Sequence, residues 1–195
     1  MTLEAAVSQA VGRHPAVRTI DLVGSRAGGR ATELSDWDFR VETEDFDAVA
    51  HALPDLVADL DPLARQWDRL SREWCYMLIL RGPVKVDLIF PDHPHTAERP
   101  WAPTAENLPA LDAHFWDWML WLHPKEAVGK RELVEQELEK LAAHLLGPLG
   151  SPGTPTSVAD AVARYRAARE GAERELQIHV PRDLEGAVAG RVTGE

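Results

Sequence analysis

At 195 residues, 45% of them hydrophobic, the chain is long enough for one core, or for one principal domain with a small one appended. Charged residues make up 27% of it and are spread along its length, and no apolar run approaches the roughly 20 residues a membrane span needs, which excludes a membrane-spanning protein. A formal net charge of -11 argues against nucleic acid as a partner, because sequence-independent binding depends on Lys and Arg neutralising phosphates. The first fifteen residues lack a basic start followed by an apolar stretch and a cleavage site, so a cytoplasmic location is expected. The single cysteine, Cys75, lies in the apolar run WCYMLIL and reads as a buried thiol.

In chain order, Leu3, Ala6, Val7, Ala10 and Val11 recur at helical spacing, which predicts a helix over 3–13, ended by His14-Pro15. The segment VRTIDLVG (17–24) is β-branched and apolar and stops at a glycine, as a buried strand does before a tight turn. After a polar loop, DWDFRVE alternates Asp36, Asp38 and Arg40 with Trp37, Phe39 and Val41, the period of a strand with two different faces, so Asp36 and Asp38 are expected on one face. Residues 46–60 read as a helix interrupted or restarted near Pro54, and 64–70 as a short strand. Two β-prone runs, 73–81 and 84–90, flank Gly82-Pro83 and predict a hairpin with Asp87 inside its second strand. From Glu42 to Asp61 there are seven carboxylates and no Lys or Arg, which reads either as a solvated helix face or as a negative rim that attracts a cationic substrate.

The Pro- and His-bearing stretch DHPHTAERPWAPT (92–104) reads as a connector, and no strand is predicted after it. Helices are expected over 105–122, 124–146 and 157–176, the last with Ser157 and Asp160 in capping-box spacing. A short helix follows Pro181 before a frayed tail, and GPLGSPGTPT (147–156) is the clearest linker. A mixed half followed by an all-helical half makes the fold class α+β, with the chemistry expected where the halves meet.

Asp36, Asp38 and Asp87 need a reason to sit in such apolar strands, since a carboxylate buried without partners costs several kcal/mol. A divalent cation removes that cost. An oxygen-only cluster suits Mg²⁺, which keeps waters and binds through a few carboxylates plus substrate phosphates, so a nucleoside triphosphate is the natural ligand. The Gly24-Ser25 turn at the end of a buried strand can aim backbone N–H groups and a hydroxyl at phosphate oxygens. With two metal ions, one activates an acceptor hydroxyl while the other stabilises the pyrophosphate leaving group.

The string LVGSRAGGRATELSDWDF (22–39), followed by VDLIF (86–90), resembles the polymerase-β-like nucleotidyltransferase superfamily: an apolar strand, Gly-Ser, about ten residues, Asp-x-Asp, and a third Asp on a later strand. The resemblance implies a small mixed β-sheet core with flanking helices, followed by a C-terminal helical bundle. It also implies a Mg²⁺-dependent enzyme that uses ATP. Gly24 and Ser25 would hold the β- and γ-phosphates, Asp36 and Asp38 would bind metal, and Asp87 would bind metal or accept the acceptor's proton. The segment HFWDWMLWLHPKEAVGKRELVEQELEKL is similar to the C-terminal helices of small antibiotic-resistance members, the aminoglycoside and lincosamide nucleotidyltransferases, with GKREL in place of the usual RGEL. This divides the chain into a catalytic domain (1–92), a connector (93–104) and a helical substrate-binding domain (105–195).

Other residues carry two readings each. Arg26 and Arg30 are clamps for the phosphates or solvated loop arginines; Lys125 and Lys130 reach the triphosphate or are exposed helix charges. Trp116, Trp118 and Trp121, with Phe115, stack a base or pack a core, core being the expectation for most of them. Asp92, His93 and His95 read as ordinary loop residues rather than metal ligands. Glu106 and Asp112 are open candidates for the general base. The leading expectation is transfer of AMP to a hydroxyl of a small molecule, with the acidic stretch suiting an aminoglycoside-like cation. A toxin–antitoxin-type enzyme that modifies a protein or RNA is the alternative, and a non-catalytic NTP-binding module the third.

Overall fold

In a computed structural model that describes residues 1–33, 35–96 and 101–193, the chain divides into two compact units, Met1–Glu98 and Arg99–Glu195. The first is a five-stranded mixed sheet with helices α1 to α3. The second is a helical bundle, α4 to α7.

Thr2 caps α1 (Leu3–Gly12), its hydroxyl oxygen accepting from the Ala5 N–H, and Val7 and Val11 bury the inner face of that helix. Strand β1 (Val17–Val23) leads into a four-residue helix, α2 (Gly24–Ala27). Strand β2 (Trp37–Thr43) is followed by α3 (Phe46–Leu56), capped by Asp45. The expected interruption at Pro54 does not occur. Pro54 lies inside α3, and the chain turns later, through a 3₁₀ turn (Ala58–Leu60) that ends at Asp61 with φ 49°. The short strand β3 (Ala64–Trp67) precedes the hairpin of β4 (Glu73–Leu80) and β5 (Val84–Pro94), turned at Gly82 with φ 95°. The expected connector therefore begins late: Asp92 and His93 still belong to β5, where Glu73 pairs with Pro94 across a bulge. Residues 97–100 of that connector lie outside the described residues.

The strand order is β1-β2-β5-β4-β3. Only β2 and β5 are parallel; the other neighbours are antiparallel. Because side chains alternate along a strand, Phe39, Val41, Tyr76, Leu78, Leu80, Val86, Leu88 and Phe90 face one way. They pack with Val7 and Val11 of α1 and Val49, Leu53 and Leu56 of α3 into one core. The opposite face carries Asp38, Arg40, Lys85 and Asp87 beside the buried Cys75, Met77 and Ile79.

In the second unit, α4 (Leu108–Ala127) is buried all round between residues 114 and 120. One helix runs through His123-Pro124, where two were expected. A proline costs an interior helix one backbone hydrogen bond, and α4 absorbs that and stops at Gly129, which takes φ 74°. A π-helical turn (Ala142–Leu146) extends α5 (Arg131–Leu141). Helix α6 (Val158–Leu176) is capped as its sequence predicts: the Ser157 hydroxyl oxygen accepts from the Asp160 N–H, and the Asp160 carboxylate accepts from the Thr156 N–H. Tyr165 stacks on Phe115 with ring centroids 3.8 Å apart, joining α6 to α4, and α7 (Asp183–Thr193) packs on both. The expected frayed end, 194–195, is outside the described residues.

Candidate active site

The site is built where β1 ends and the chain must turn sharply. Gly24 takes φ 69°, a conformation L side chains rarely adopt. It also has no room for a side chain: a Cβ there would overlap Asp38 Oδ2 and lie 3.2 Å from Asp38 Cγ. The glycine is thus required twice, once by its backbone angle and once by the carboxylate seated against it.

Asp38 lies on β2 opposite Asp87 on β5, the two being Cα partners in the parallel pair. Directly opposed residues on neighbouring strands project to the same face, so two acids nearly 50 positions apart in sequence stand side by side. Like charges so placed repel. Lys85, two residues before Asp87 and on the same face of β5, donates from Nζ to Asp87 Oδ1 at 2.6 Å, and their side chains are 6% and 14% exposed. This lysine, in contact with a candidate site residue, is one that reading the sequence missed. The signal was present in the alternation of VKVDLIF, which puts Lys85 and Asp87 on one face.

Asp36 precedes β2 rather than lying in it, so the expectation that it shares a strand face with Asp38 does not carry over. Its carbonyl oxygen accepts from Arg26 Nε at 3.0 Å, and that of Ser35 from Arg26 Nη2 at 2.6 Å. The Arg26 guanidinium also lies 4.0 Å from the Trp37 ring centroid. Its planar head therefore ties the chain at Ser35-Asp36 to α2. Ser25 follows Gly24 in α2, half-buried, its carbonyl oxygen accepting from the Arg30 N–H, while Arg30 itself is exposed.

Among the described residues, no three His, Cys, Asp or Glu side chains form a group that could hold a metal ion. The three-carboxylate cluster expected from the sequence is thus not a preformed cage; the sheet register aligns two. Two aligned carboxylates still fit Mg²⁺, which commonly takes one or two from the protein and the rest of its oxygens from waters and substrate phosphates.

Lys125 lies on α4 with Nζ 4.4 Å from the Trp121 ring centroid, and Lys130 is exposed at the start of α5. Phe115, Trp116 and Trp118 are core residues, as expected for most of the aromatic group. Asp112 is 2% exposed and accepts from Tyr165 Oη and Arg169 Nη1, each at 2.7 Å. Burial pushes its carboxyl up from the ordinary range, against the opposing pull of the tyrosine and arginine. It serves as an anchor between helices. Glu106 is exposed. His93 stacks on Phe46, and His95 packs at a tilt against Trp74 with Nδ1 3.0 Å from the Ser71 carbonyl oxygen, so both pack at the sheet end.

The acidic stretch proves not to be an open negative rim. Glu42 pairs with Arg40, Glu44 with Arg18, Asp59 with Arg13 and Asp61 with Arg81, and Asp45 caps α3. The fold brings arginines from outside the stretch to four of its seven acids, which removes the ground for expecting a cationic substrate.

No family model matches the sequence, and no curated protein does. Solved structures do. An aminoglycoside 6-adenyltransferase from Bacillus subtilis matches at 11% identity and TM-score 0.35, over 98% of this chain and 96% of that one. A cytoplasmic RNA terminal U-transferase matches at 16% and 0.41, over 75% and 44%. The polymerase core of TRAMP, an RNA surveillance complex, matches at 15% and 0.40, over 67% and 41%. The chain spans less than half the length of the last two. One correction follows. The last two are described by RNA, and the exclusion of nucleic acid on net charge is withdrawn on physical grounds: net charge sums a whole surface, whereas an RNA end at a catalytic site meets only a few residues. What defines the fold is the sheet itself. In it, an apolar strand, a Gly-Ser turn, an Asp-bearing strand and a parallel neighbour carrying the later Asp are brought together. No helix among the described residues is long and apolar enough to cross a membrane.

Proposed function

We propose that this chain is a metal-dependent nucleotidyltransferase that moves a nucleoside monophosphate, AMP from ATP in the first instance, onto an acceptor hydroxyl. The observation that carries the reading is the register of Asp38 against Asp87, with the Gly24 backbone closed onto the Asp38 carboxylate. Asp38 and Asp87 would hold the metal, with Asp36 beside them at the head of β2. Bound Mg²⁺ supplies charge stabilisation for the triphosphate and for the departing pyrophosphate. The chain's own part is placement. Gly24 and Ser25 bring backbone and a hydroxyl to the phosphates, and Arg26 fixes the chain that presents Asp36. The acceptor oxygen forms a bond to the α-phosphorus, the bond from that phosphorus to the bridging oxygen of pyrophosphate breaks, and the acceptor's proton passes to a site carboxylate or to water.

The test is incubation with each NTP, Mg²⁺ and a panel of acceptors that includes aminoglycosides, RNA 3′ ends and protein. Pyrophosphate release and product mass are followed. A product carrying one added nucleoside monophosphate, lost in Asp38→Asn, is the expected result. Activity retained in Asp38→Asn would overturn the site.

A further inference from the structure

Lys85 is out of place by its surroundings. Its Cα partner across the hairpin is Ile79, 1% exposed, and the same face carries Met77 at 3%. The lysine side chain is itself 6% exposed. Burying an ammonium costs several kcal/mol unless it is well paired, so a residue of this kind in this row needs a compensating role. The pairing with Asp87 Oδ1 at 2.6 Å provides one, and it falls where two carboxylates are forced together by strand register.

We infer that Lys85 is a built-in countercation of the active site: it holds Asp87 in place and offsets the repulsion between Asp38 and Asp87 before metal arrives. This rests on the proposed function and deepens it. The Lys85 ammonium, bonded to Asp87, stabilises the metal-free sheet and, by the same attraction, competes with a divalent cation for Asp87. The free protein therefore binds metal weakly, and the cation is recruited together with the phosphates that complete its oxygen shell. Lys85 is a positioning residue, acting on the chemistry through Asp87.

The experiment uses the full chain and Mn²⁺ as the probe. Wild type, Lys85→Met, Lys85→Arg and Asp38→Asn are melted in EDTA and in saturating Mn²⁺, and their Mn²⁺ affinities are measured by calorimetry without nucleotide. Lys85→Met should melt below wild type in EDTA and recover in Mn²⁺, with Mn²⁺ bound about tenfold tighter because the competing charge is gone, a change on the scale at which groups adjoining a metal's ligands act but opposite in sign to the loss of a supporting partner. Lys85→Arg should stay near wild type in both. Equal destabilisation of Lys85→Met with and without Mn²⁺, at unchanged or weaker affinity, would overturn the proposal and leave a plain packing role. Should Lys85→Met not fold, Lys85→Gln, which can still hydrogen-bond to Asp87 without the charge, is read by the same two outcomes. Mn²⁺ binding unchanged in Asp38→Asn would instead bring down the site reading itself, and this proposal with it.

Discussion

Each unit of this protein buries charge, but it does so in opposite ways. In the helical unit, Arg169 is 2% exposed and bonds to Asp112 and Glu185; Asp112 also accepts from Tyr165, and Glu185 from Arg166. Acids and bases there are matched and linked, joining α4, α6 and α7. In the sheet unit, two carboxylates are aligned by strand register, Lys85 bonds to one of them and a glycine backbone is pressed against the other. A matched network specifies how helices pack. Two carboxylates aligned by strand register offer their oxygens to a cation.

The comparison breaks first, and with the largest effect, on Arg169. Arg169→Met leaves Asp112 and Glu185 without their shared partner, and removing one member of a buried pair costs about 3–5 kcal/mol. Urea unfolding should show that loss, while Arg169→Met combined with Asp112→Leu should regain much of it; a single variant as stable as wild type would mean that the network is ornamental. In the sheet unit the effect should fall on catalysis. Asp38→Asn should lower nucleotidyl transfer by about 10²–10³-fold, the range for losing one preorganised electrostatic group, while its melting temperature stays at or above that of wild type because a like-charge repulsion is relieved. A variant that loses activity only in proportion to stability would erase the distinction between the two regions.

What could be read from the sequence follows the range of the interactions. The strand of Asp38 and the hairpin strand of Asp87 were legible because side-chain alternation is local, as was the cap at Ser157. That Asp87 would join Asp38 was expected from the chemistry of carboxylates in apolar strands, but the parallel pairing of β2 with β5 that aligns them is specified by no local pattern. The same holds for the acidic stretch: Arg13, Arg18 and Arg81 reach it only through the fold, so it looked unpaired. Lys85 was legible and overlooked, because an apolar strand with one acid draws attention to the acid. Pro124 misled by its general rule, which α4 evades by losing one hydrogen bond and carrying on to Gly129.

A smaller effect is expected at Gly24. Gly24→Ala forces a left-handed residue to carry a side chain, at about 1–3 kcal/mol, and pushes the Asp38 carboxylate off its seat. The stability loss should be modest and the activity loss larger than it. Gly129→Ala serves as the control: Gly129 has φ 74° with no atom near its missing Cβ, so it should lose stability alone. Equal activity loss in both variants would mean that the seat at Gly24 has no catalytic part.

The smallest effect separates the two regions by pH. Glu173 is held below its ordinary value of 4.5, chiefly by its hydrogen bond from Arg182. Glu185 also lies below 4.5: burial pushes it up, and Arg169 and Arg166 together pull it down further. A carboxyl whose folded value is depressed contributes stability that is fully present above the unfolded value and is lost as pH falls through the folded one. Asp112 runs the other way. Burial raises it above 3.8, so its contribution is greatest below that pH and fades as pH rises through the raised value. Melting temperature should therefore fall as pH drops below about 4.5, and Glu173→Gln should flatten that acid limb. Asp112→Asn should leave the limb at least as steep, having removed a carboxyl that opposes it. A limb untouched by both Glu173→Gln and Glu185→Gln would place the acid sensitivity outside these two ion pairs.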